Sequence, residues 1–333
     1  MDINLLKSLS EASTLGHLTK ARDIAKRELE KYAEVLEFGQ TGLLAKIDKG
    51  KDKTLLLDAH IDEVGFIVTS ILGKGFLRVA SVGGCDARIL PATVVTVHGK
   101  EDIPAVFAST PPHLSKGDKE VLGLDDIVLD TGIENAEEIV SVGDLVTYRS
   151  DFCNLCGTKV SGKSLDDRAG VFCLLELAKR VFDKDLSYNL IICISDGEEL
   201  GTRGAITAAF EASPDEAIAI DVSFGDGPNI SAEKCGKLGA GAMLGISPVL
   251  DRGVTEKLKK IARDKNLPLQ FEVMGGKTST DADVISVSKS GVKTGLLSIP
   301  LRNMHTPAEI IDLADLESVV SLLEGYLVGG GLY

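Results

Sequence analysis

Four short apolar runs constrain the fold of this chain more than any other feature. Each is rich in leucine or isoleucine and is bounded by turn or charged residues, which predicts strands buried on both faces of a parallel sheet. Amphipathic stretches of helical period lie around them, and strands that alternate with helices indicate a layered α/β domain. The four predicted strands are TLLLD (54–58), NLIICIS (189–195), EAIAID (216–221) and KTGLLSIP (293–300).

The predicted helices are amphipathic stretches at 18–37, 164–182, 255–266 and 313–328. In the first of them, apolar residues up to Val35 recur among charged ones. The second starts at Ser164, a predicted N-cap, and carries acidic residues in its first turn.

The stretch from Gly65 to about Cys156 breaks this alternation, because it contains no convincing amphipathic helix. Six β-rich segments follow one another there, separated by glycine, proline and aspartate, a pattern typical of a small all-β barrel. The simplest interpretation is a barrel of residues 66–156 inserted into an α/β domain of residues 1–65 and 157–333. The strands on both sides of the insertion would then belong to one sheet.

Composition limits the partners and the compartment that we expect. The chain has 36 basic and 50 acidic residues, a net charge of −14, and no basic stripe, which argues against nucleic acid or an anionic membrane as a partner. The apolar runs are too short to span a membrane, and the N-terminus shows no secretory signal. Cys173 and Cys193 fall in core-like segments, which favours reduced thiols in the cytoplasm over a disulfide framework.

Cys153 and Cys156 form a CxxC pair, which can be half of a zinc knuckle or a redox motif. No second CxxC is present to complete a site of four thiolates. We therefore interpret the pair as incidental, at the junction between the two domains.

Five segments place a histidine or an acid just after an apolar, strand-like run. In chain order they supply His60, Asp166 with Asp167, Glu198 with Glu199, Asp221, and His305. Two histidines and three carboxylates are the ligand set of a two-metal hydrolytic site, because imidazole suits zinc and cobalt and a carboxylate can bridge two ions. Ligands bind at the carboxyl ends of strands in open α/β sheets, where we place four of the five segments.

Each segment taken alone also has a structural interpretation. His60 and Asp62 face the same side of a strand end, so that Asp62 can fix the tautomer of a ligating His60, but both can also be ordinary strand-end polar residues. The side chains of Glu198 and Glu199 diverge, so that one can bind metal while the other handles protons, or both can lie in a solvated loop. The aspartates can be caps and His305 a loop residue. Their joint occurrence in this order favours a site.

These segments resemble the TET-type metallo-aminopeptidases, the glutamyl, leucyl and lysyl aminopeptidases that are also labelled cellulase M or endoglucanase. The resemblance covers nearly the whole chain and implies a layered αβα dinuclear-metal peptidase domain with an inserted β-barrel dimerisation domain. Its segments are LLKSLSEAS, DAHIDEVGF, RILPATVVTVHGK, PPHLSKGDKE, SLDDRAG, GEELGTRGA, AIDVS and IPLRNMHTPAEIIDL.

The resemblance implies two divalent metal ions per chain, zinc or cobalt. His60, Asp166 and Asp221 would hold one ion. Asp166, Glu199 and His305 would hold the other, so that Asp166 bridges the pair.

The resemblance also implies that Glu198 is the general base, that Asp62 orients a metal-bound histidine, and that Asp167 supports the bridging aspartate. The chain departs from the family pattern at Asp196, which precedes the glutamate pair, and at Lys277 in the GGKTSTDADVI segment.

The implied activity is a dinuclear metal-dependent aminopeptidase that acts on short peptides as a homo-oligomer, a dimer or a twelve-subunit shell. Two other classes stay open: a related two-metal amidohydrolase, such as a deacylase or carboxypeptidase, and a non-enzymatic scaffold on the same fold. An endoglucanase is disfavoured, because a glycosidase needs two carboxyl groups ~5–9.5 Å apart on either side of a bond, and metal-bound acids are poorly suited to that task.

Overall fold

The structure, a computed structural model, describes residues 1–40, 42–111, 113–114 and 123–328. Most of the PPHLSKGDKE segment lies outside the described residues.

The strands and helices are numbered here in chain order. The strands are β1 (Glu34–Phe38), β2 (Gly42–Ile47), β3 (Thr54–His60), β4 (Gly65–Gly73), β5 (Phe76–Val82), β6 (Val94–His98), β7 (Asp102–Phe107), β8 (Leu129–Asp130), β9 (Leu145–Tyr148), β10 (Cys153–Asn154), β11 (Lys159–Gly162), β12 (Asn189–Ser195), β13 (Glu216–Phe224), β14 (Ala242–Ile246), β15 (Leu269–Val273), β16 (Lys293–Leu301) and β17 (Glu309–Asp312). The helices are α1 (Ile3–Glu11), α2 (Lys20–Leu29), α3 (Leu165–Val181), α4 (Arg203–Ala212), α5 (Arg252–Asp264), α6 (Ala282–Ile285) and α7 (Leu313–Val328).

Eight strands form the main sheet, in the order β1-β2-β12-β3-β13-β16-β14-β15. The four strands predicted from the apolar runs are β12, β3, β13 and β16, which lie side by side at its centre and run parallel. The prediction of a buried parallel core is therefore confirmed. Parallel neighbours end at the same edge of the sheet, so this arrangement gathers the segments that follow these strands.

Both faces of the main sheet are covered, which makes the α/β layers. In β3, Leu55 and Leu57 contribute to one apolar core, which also contains residues of α1, α2, α3, α5 and α7. Leu56, on the opposite face, contributes to a second core with residues of α4 and α6. This alternation follows from the two-residue period of a strand, and the predicted layered α/β fold is confirmed.

Strands β4 to β9 close into a barrel in the order β4-β5-β8-β7-β6-β9. Its core includes Phe66, whose ring meets those of Phe107 and Tyr148 edge to face, at centroid distances of 5.0 and 5.6 Å. Beyond the barrel, β10 pairs with β11, which pairs with β17 in a small separate sheet. The predicted all-β barrel is confirmed, whereas the limits 66–156 for a separate domain stay a prediction.

The predicted helix over 18–37 is wrong in its second half. Helix α2 ends at Leu29, and 34–38 form β1, which pairs antiparallel with β2 at the edge of the main sheet. Val35 packs against the same core from the strand. A single apolar residue every few positions fits a helix and an edge strand equally well, and the pairing with β2 decides between them.

Ser164 occupies the predicted N-cap position of α3, but its side chain does not cap the helix. Ser164 has a left-handed backbone (φ 54°) and makes no capping hydrogen bond, and Asp166 and Asp167 have non-helical backbone angles. The Ser164 hydroxyl instead donates to the carboxylate of Glu63 at 2.7 Å. The first turn of α3 is therefore irregular, and the Ser164 side chain binds a distant residue instead of the helix.

All six cysteines are free. Cys173 and Cys193 are buried, as predicted, while Cys153 and Cys156 are exposed. No group of metal-binding side chains in the described residues includes either of the exposed pair. Among the described helices, none has the length and apolar character needed to span a membrane.

Candidate metal centre

The predicted site residues converge at one edge of the main sheet. His60 is the last residue of β3, and Glu198 and Glu199 follow β12, which pairs with β3 in register up to Ser195 opposite His60. His305 follows β16. Asp221 lies inside β13, not at its end as expected, because the strand continues for three more residues to Phe224.

The carboxylate of Asp166 lies between the two histidines. Its Oδ1 is 3.1 Å from Nε2 of His60, and its Oδ2 is 3.2 Å from Nε2 of His305. Nε2 of His305 also lies 3.1 Å from Glu199, and Nε2 of His60 lies 3.9 Å from Asp221. One aspartate therefore presents one oxygen to each half of the cluster.

Both imidazoles turn Nε2 towards the carboxylates, and their other nitrogens have separate contacts. Nδ1 of His305 is 2.8 Å from the carbonyl oxygen of Gly84, to which it donates a hydrogen bond when protonated. Nδ1 of His60 faces Asp62 at 3.4 Å, longer than a good hydrogen bond. A partner at Nδ1 fixes the ring and leaves Nε2 as the ligand atom, the arrangement found around metal-bound histidines.

The donor atoms fall into compact groups that share residues. In each group the candidate ligand atoms lie within 4.8 Å of one another. One group is His60, Asp166 and Asp221, and another is Asp166, Glu199 and His305. A third contains His60 with both glutamates. The first two groups are the two ligand sets implied by the resemblance, and their role as ligands stays a prediction.

The charges of this cluster perturb one another strongly. Burial alone would raise the pKa of Asp166, but its hydrogen bonds with His305 and His60 hold it well below the usual range. Burial alone would lower the pKa of His305, but Asp166 and Glu199 raise it to about 11. The imidazoles thus act as positive partners of the carboxylates. A divalent cation would replace the protons of the imidazoles and supply the positive charge in their place.

Burial and neighbouring acids favour the neutral form of Glu198 and Asp221. Burial raises the pKa of Glu198 to about 7; the charge of His60 opposes this rise, and the charges of Glu199 and Asp166 add to it. Burial, with the charge of neighbouring acids, also holds the pKa of Asp221 well above its usual range. Perturbed acids that cluster in a cleft are typical of functional sites.

The donor set fits divalent cations. No lysine or arginine of the described residues forms an ion pair with Asp166, Glu199 or Asp221, whose recorded ion pairs are all with histidine. Carboxylate oxygens and neutral imidazole nitrogens are the ligands that suit zinc and related divalent ions. A cluster with more acids than histidines, largely shielded from water, is stabilised by such ions.

Asp62 holds the glutamate loop as well as facing His60. Its carboxylate accepts hydrogen bonds from the backbone N–H groups of Glu198 at 3.1 Å and Glu199 at 3.3 Å. Asp167 is fully buried and accepts a hydrogen bond from the N–H of Gly170 at 2.9 Å. Asp62 therefore holds the loop that carries Glu198 and Glu199, whereas the support of Asp166 by Asp167 stays a prediction.

Glu309 belongs to the site but escaped the sequence analysis. It is buried, and its carboxylate accepts hydrogen bonds from the backbone N–H of Asp166 at 3.1 Å and of His305 at 2.8 Å. It thus ties together two segments that are far apart in the chain. The only signal was its position within the MHTPAEIIDL segment, four residues after His305.

A buried ion network behind the site was also missed. Glu63 accepts from the backbone of Thr14 at 2.9 Å and pairs with Lys163 and with Arg168, the latter at 3.5 Å. The guanidinium of Arg168 is fully buried and donates to the carbonyl of Ile61 at 2.6 Å. This network ties the segment after β3, which follows His60, to the start of α3, where Asp166 lies.

A cavity of about 460 Å³ opens onto the cluster. It is lined by Asp166, Glu198, Glu199, Asp221 and His305, and it extends along the sheet past β13 and β16 to β15. Lys277, one of the two departures noted in the sequence, lines this cavity. The other departure, Asp196, lines a separate cavity of about 220 Å³.

The chain is similar in sequence and in structure to known aminopeptidases. The family model described as M42 glutamyl aminopeptidase matches residues 42–322. A lysyl aminopeptidase from Pyrococcus furiosus is 28% identical over 342 residues, 98% of this chain and 97% of that protein. Among solved structures, an aminopeptidase from the archaeon Desulfurococcus kamchatkensis superimposes with a TM-score of 0.92 at 28% identity, covering 98% of this chain and 94% of that one. The Pyrococcus horikoshii TET1 peptidase, which can assemble into a tetrahedron or a large octahedral shell, gives a TM-score of 0.86 at 33% identity, covering 97% and 98%.

Proposed function

Because this chain belongs to the M42 glutamyl aminopeptidase family and is therefore a peptidase, we propose that it removes N-terminal residues from short peptides with two divalent metal ions, zinc or cobalt. The family assignment agrees with the resemblance drawn from the sequence and leaves the non-enzymatic alternative without support. The observation that carries the proposal is the placement of Asp166, whose two oxygens lie 3.1 and 3.2 Å from two histidines. In this proposal His60 and Asp221 complete one ligand set, and Glu199 and His305 complete the other.

The cations, when bound, would act as Lewis acids that polarise the scissile carbonyl and increase the acidity of a nearby water. The side chains of the protein then have to hold the substrate in place and move protons. A cluster rich in carboxylates attracts the positively charged α-amino group of a peptide, and an acetylated terminus lacks that charge. This difference underlies the proposed restriction to free N-termini.

Glu198 is the proposed general base. It lines the cavity beside the candidate ligands, and burial raises its pKa to about 7. A carboxylate in this place can accept a proton from the attacking water and return it to the leaving amine. The hydrogen bond of its backbone N–H to Asp62 fixes the position of the loop from which it acts.

A pair of peptides tests this function. We expect the protein, loaded with zinc or cobalt, to cleave the first residue from Leu-Gly-Gly and to leave N-acetyl-Leu-Gly-Gly intact, because only the first has a free α-amino group. A chelator should abolish the cleavage. Release of acetate, or cleavage from the C-terminal end alone, would instead support the deacylase or the carboxypeptidase alternative and contradict the proposal.

We further propose that residues 66–156 pair two copies of the chain. Val94 and Val106 face each other across β6 and β7 on the outside of the barrel and are 40% and 39% exposed. An exposed apolar patch of this kind suits an isologous contact between two copies. Light scattering at micromolar concentration should show a dimer or a larger assembly, and a monomer would contradict the pairing.

We also propose a cytoplasmic location. All six cysteines are free, as expected in a compartment where thiols are kept reduced, and this supports the proposed location. Cell fractionation with an antibody to the native protein tests this directly, and recovery outside the cytoplasm would contradict it.

A further inference from the structure

The far end of the site cavity contains a carboxylate that the proposed chemistry does not use. Glu272 lies on β15, the edge strand of the main sheet, and lines the cavity together with the candidate ligands. Its neighbours Phe271 and Val273 point away and are 56% and 76% exposed, whereas Glu272 is half-buried. An acid on the inner face of an edge strand, beside exposed apolar residues, runs against the usual pattern of burial.

Two hydroxyl groups hold this carboxylate in place. Oε2 accepts a hydrogen bond from Ser298 on β16 at 2.8 Å, and Oε1 accepts one from Ser223 on β13. Both serines are buried, with exposures of 1% and 7%. The strand between Glu272 and Ser298 is β14, where the residue paired with Glu272 is Gly245 and has no side chain. Glu272 can therefore reach across β14, and its carboxylate has a fixed position.

Within the part of the chain that the structure describes, no side chain of opposite charge pairs with Glu272. Neither a lysine, nor an arginine, nor a histidine of the described residues forms an ion pair with it, and its recorded hydrogen bonds come from neutral hydroxyls. A partly buried carboxylate that lacks a counter-charge is unfavourable in the empty cavity, and a cation that enters the cavity stabilises it.

The carboxylate of Glu272 is separated from the candidate metal ligands by about the length of an amino-acid side chain. Ser298 pairs with Asp221 across β16 and β13, and neighbouring strands are about 4.8 Å apart. A carboxylate bound to Ser298 is therefore within reach of the four-carbon stem of a lysine whose α-amino group lies at the metal cluster. Met274, Leu296 and Met304 line the cavity and offer apolar contacts for that stem.

We propose that Glu272 makes this cavity select a basic N-terminal residue, lysine or arginine, by pairing with its terminal cation. The inference rests on the proposed aminopeptidase function and adds the substrate class to it. Lys277 lines the same cavity and has the opposite charge, but it is exposed. Because solvent and salt screen an exposed, flexible ammonium group more than a fixed, half-buried carboxylate, the charge of Glu272 dominates.

Matched substrates test this selection. Lysyl- and norleucyl-p-nitroanilide have the same carbon stem and differ in the terminal ammonium group. We expect kcat/KM of the cobalt-loaded protein to favour lysine by about 10- to 100-fold, the range for one charge-assisted hydrogen bond. Glu272→Gln keeps the shape and an acceptor for the serines, and it should bring the lysine-to-norleucine ratio close to one. Glu256→Gln, at an exposed glutamate on α5 that pairs with Lys259, should keep the wild-type ratio.

A binding measurement keeps the test independent of turnover. Equilibrium dialysis of the protein against L-lysine and L-norleucine should show tighter binding of lysine to the wild type and no such difference in Glu272→Gln. Equal binding of both amino acids to the wild type, or an unchanged ratio in the variant, would overturn the inference. A preference for glutamyl-p-nitroanilide that Lys277→Gln removes would also overturn it, since the selectivity would then belong to Lys277.

The role of Glu272 and the aminopeptidase function can be refuted separately. If peptides with free N-termini are cleaved without preference for a basic residue, the role of Glu272 is wrong and the proposed function stands. If no such peptide is cleaved with any metal, the proposed function is wrong, and the dialysis experiment still decides whether Glu272 binds a cation.

Discussion

The buried network around Glu63 gives a quantitative prediction about stability. The Glu63 side chain is only 2% exposed and has two positive partners, Lys163 and Arg168, which are 3% and 0% exposed. Glu63→Gln removes the negative charge and leaves both cations buried. Breaking a buried ion pair by removing one partner typically costs about 3–5 kcal/mol. We therefore expect the free energy of unfolding at pH 7 to fall by about that amount.

The side chains of Lys163 and Arg168 limit how far the free energy of unfolding can fall in Glu63→Gln. Lys163 can escape by losing its proton, which costs about 4.6 kcal/mol at pH 7 for a group with a solution pKa of about 10.4. Burial already lowers the pKa of Lys163 in the folded protein. Arg168 cannot lose its proton, but it keeps hydrogen bonds to the carbonyl groups of Ile61 and Leu9. The free energy of unfolding should therefore fall strongly, but within the limit set by these two side chains.

The effect should depend on pH with a definite sign. Burial alone would raise the pKa of Glu63, but the charges of Lys163 and Arg168 outweigh it and hold the pKa below the usual value. An acid whose pKa is lower in the folded protein stabilises the fold at pH values above its pKa in the unfolded chain, about 4.3. That contribution is lost as the pH falls through the pKa of the folded protein. Where Lys163 keeps its proton in the variant, the difference between wild type and Glu63→Gln should therefore be constant from pH 7 to about 5, and it should shrink below about pH 4.

Urea unfolding followed by circular dichroism measures this difference, since the chain has no tryptophan. Protein concentration and metal content must be the same for both variants, because binding and assembly shift apparent stability. Glu317→Gln is the control: its carboxylate pairs with Arg180 at 2.7 Å, but it is 47% exposed, so a loss of only about 0.2–1 kcal/mol is expected. A loss for Glu63→Gln no larger than for this control would refute the reasoning.

Two further predictions concern the site itself. Glu198→Gln should lower kcat by about 10²–10⁴, the usual effect of losing a general base, and leave the metal content measured by mass spectrometry unchanged; near-normal turnover would remove Glu198 from that role. Glu309→Gln should weaken metal affinity by about 10- to 100-fold, since this residue holds the backbone of two candidate ligands in place. Titration with a competing chelator measures that loss, and an unchanged affinity would show that the ligands hold their positions without it.

The sequence predicted the elements whose pattern is local and strong. The strand at 189–195 and the helix at 313–328 have the bounds that their apolar pattern predicted. The burial of such segments can be recognised from their own residues, because a strand buried on both faces and a long amphipathic helix have distinct patterns. The barrel was predictable for the same reason, since its strands alternate with turn residues over the whole region.

The sequence did not predict features that depend on partners far away in the chain. The Ser164 hydroxyl donates to Glu63, 101 positions away, and Glu309 accepts from the N–H of Asp166, 143 positions away. Nothing in the local pattern distinguishes these acids from the many exposed ones of an acidic chain. Glu272 was missed for the same reason, because its position opposite Gly245 appears only once β14 and β15 are paired.

The central claim is that Asp166 bridges two divalent ions. The most direct test is anomalous diffraction from crystals of the zinc-loaded protein, recorded on both sides of the zinc absorption edge. The account predicts two peaks, one among His60, Asp166 and Asp221 and the other among Asp166, Glu199 and His305, and only the first should remain in His305→Ala. A single peak in the wild type, or peaks that do not contact Asp166, would contradict it.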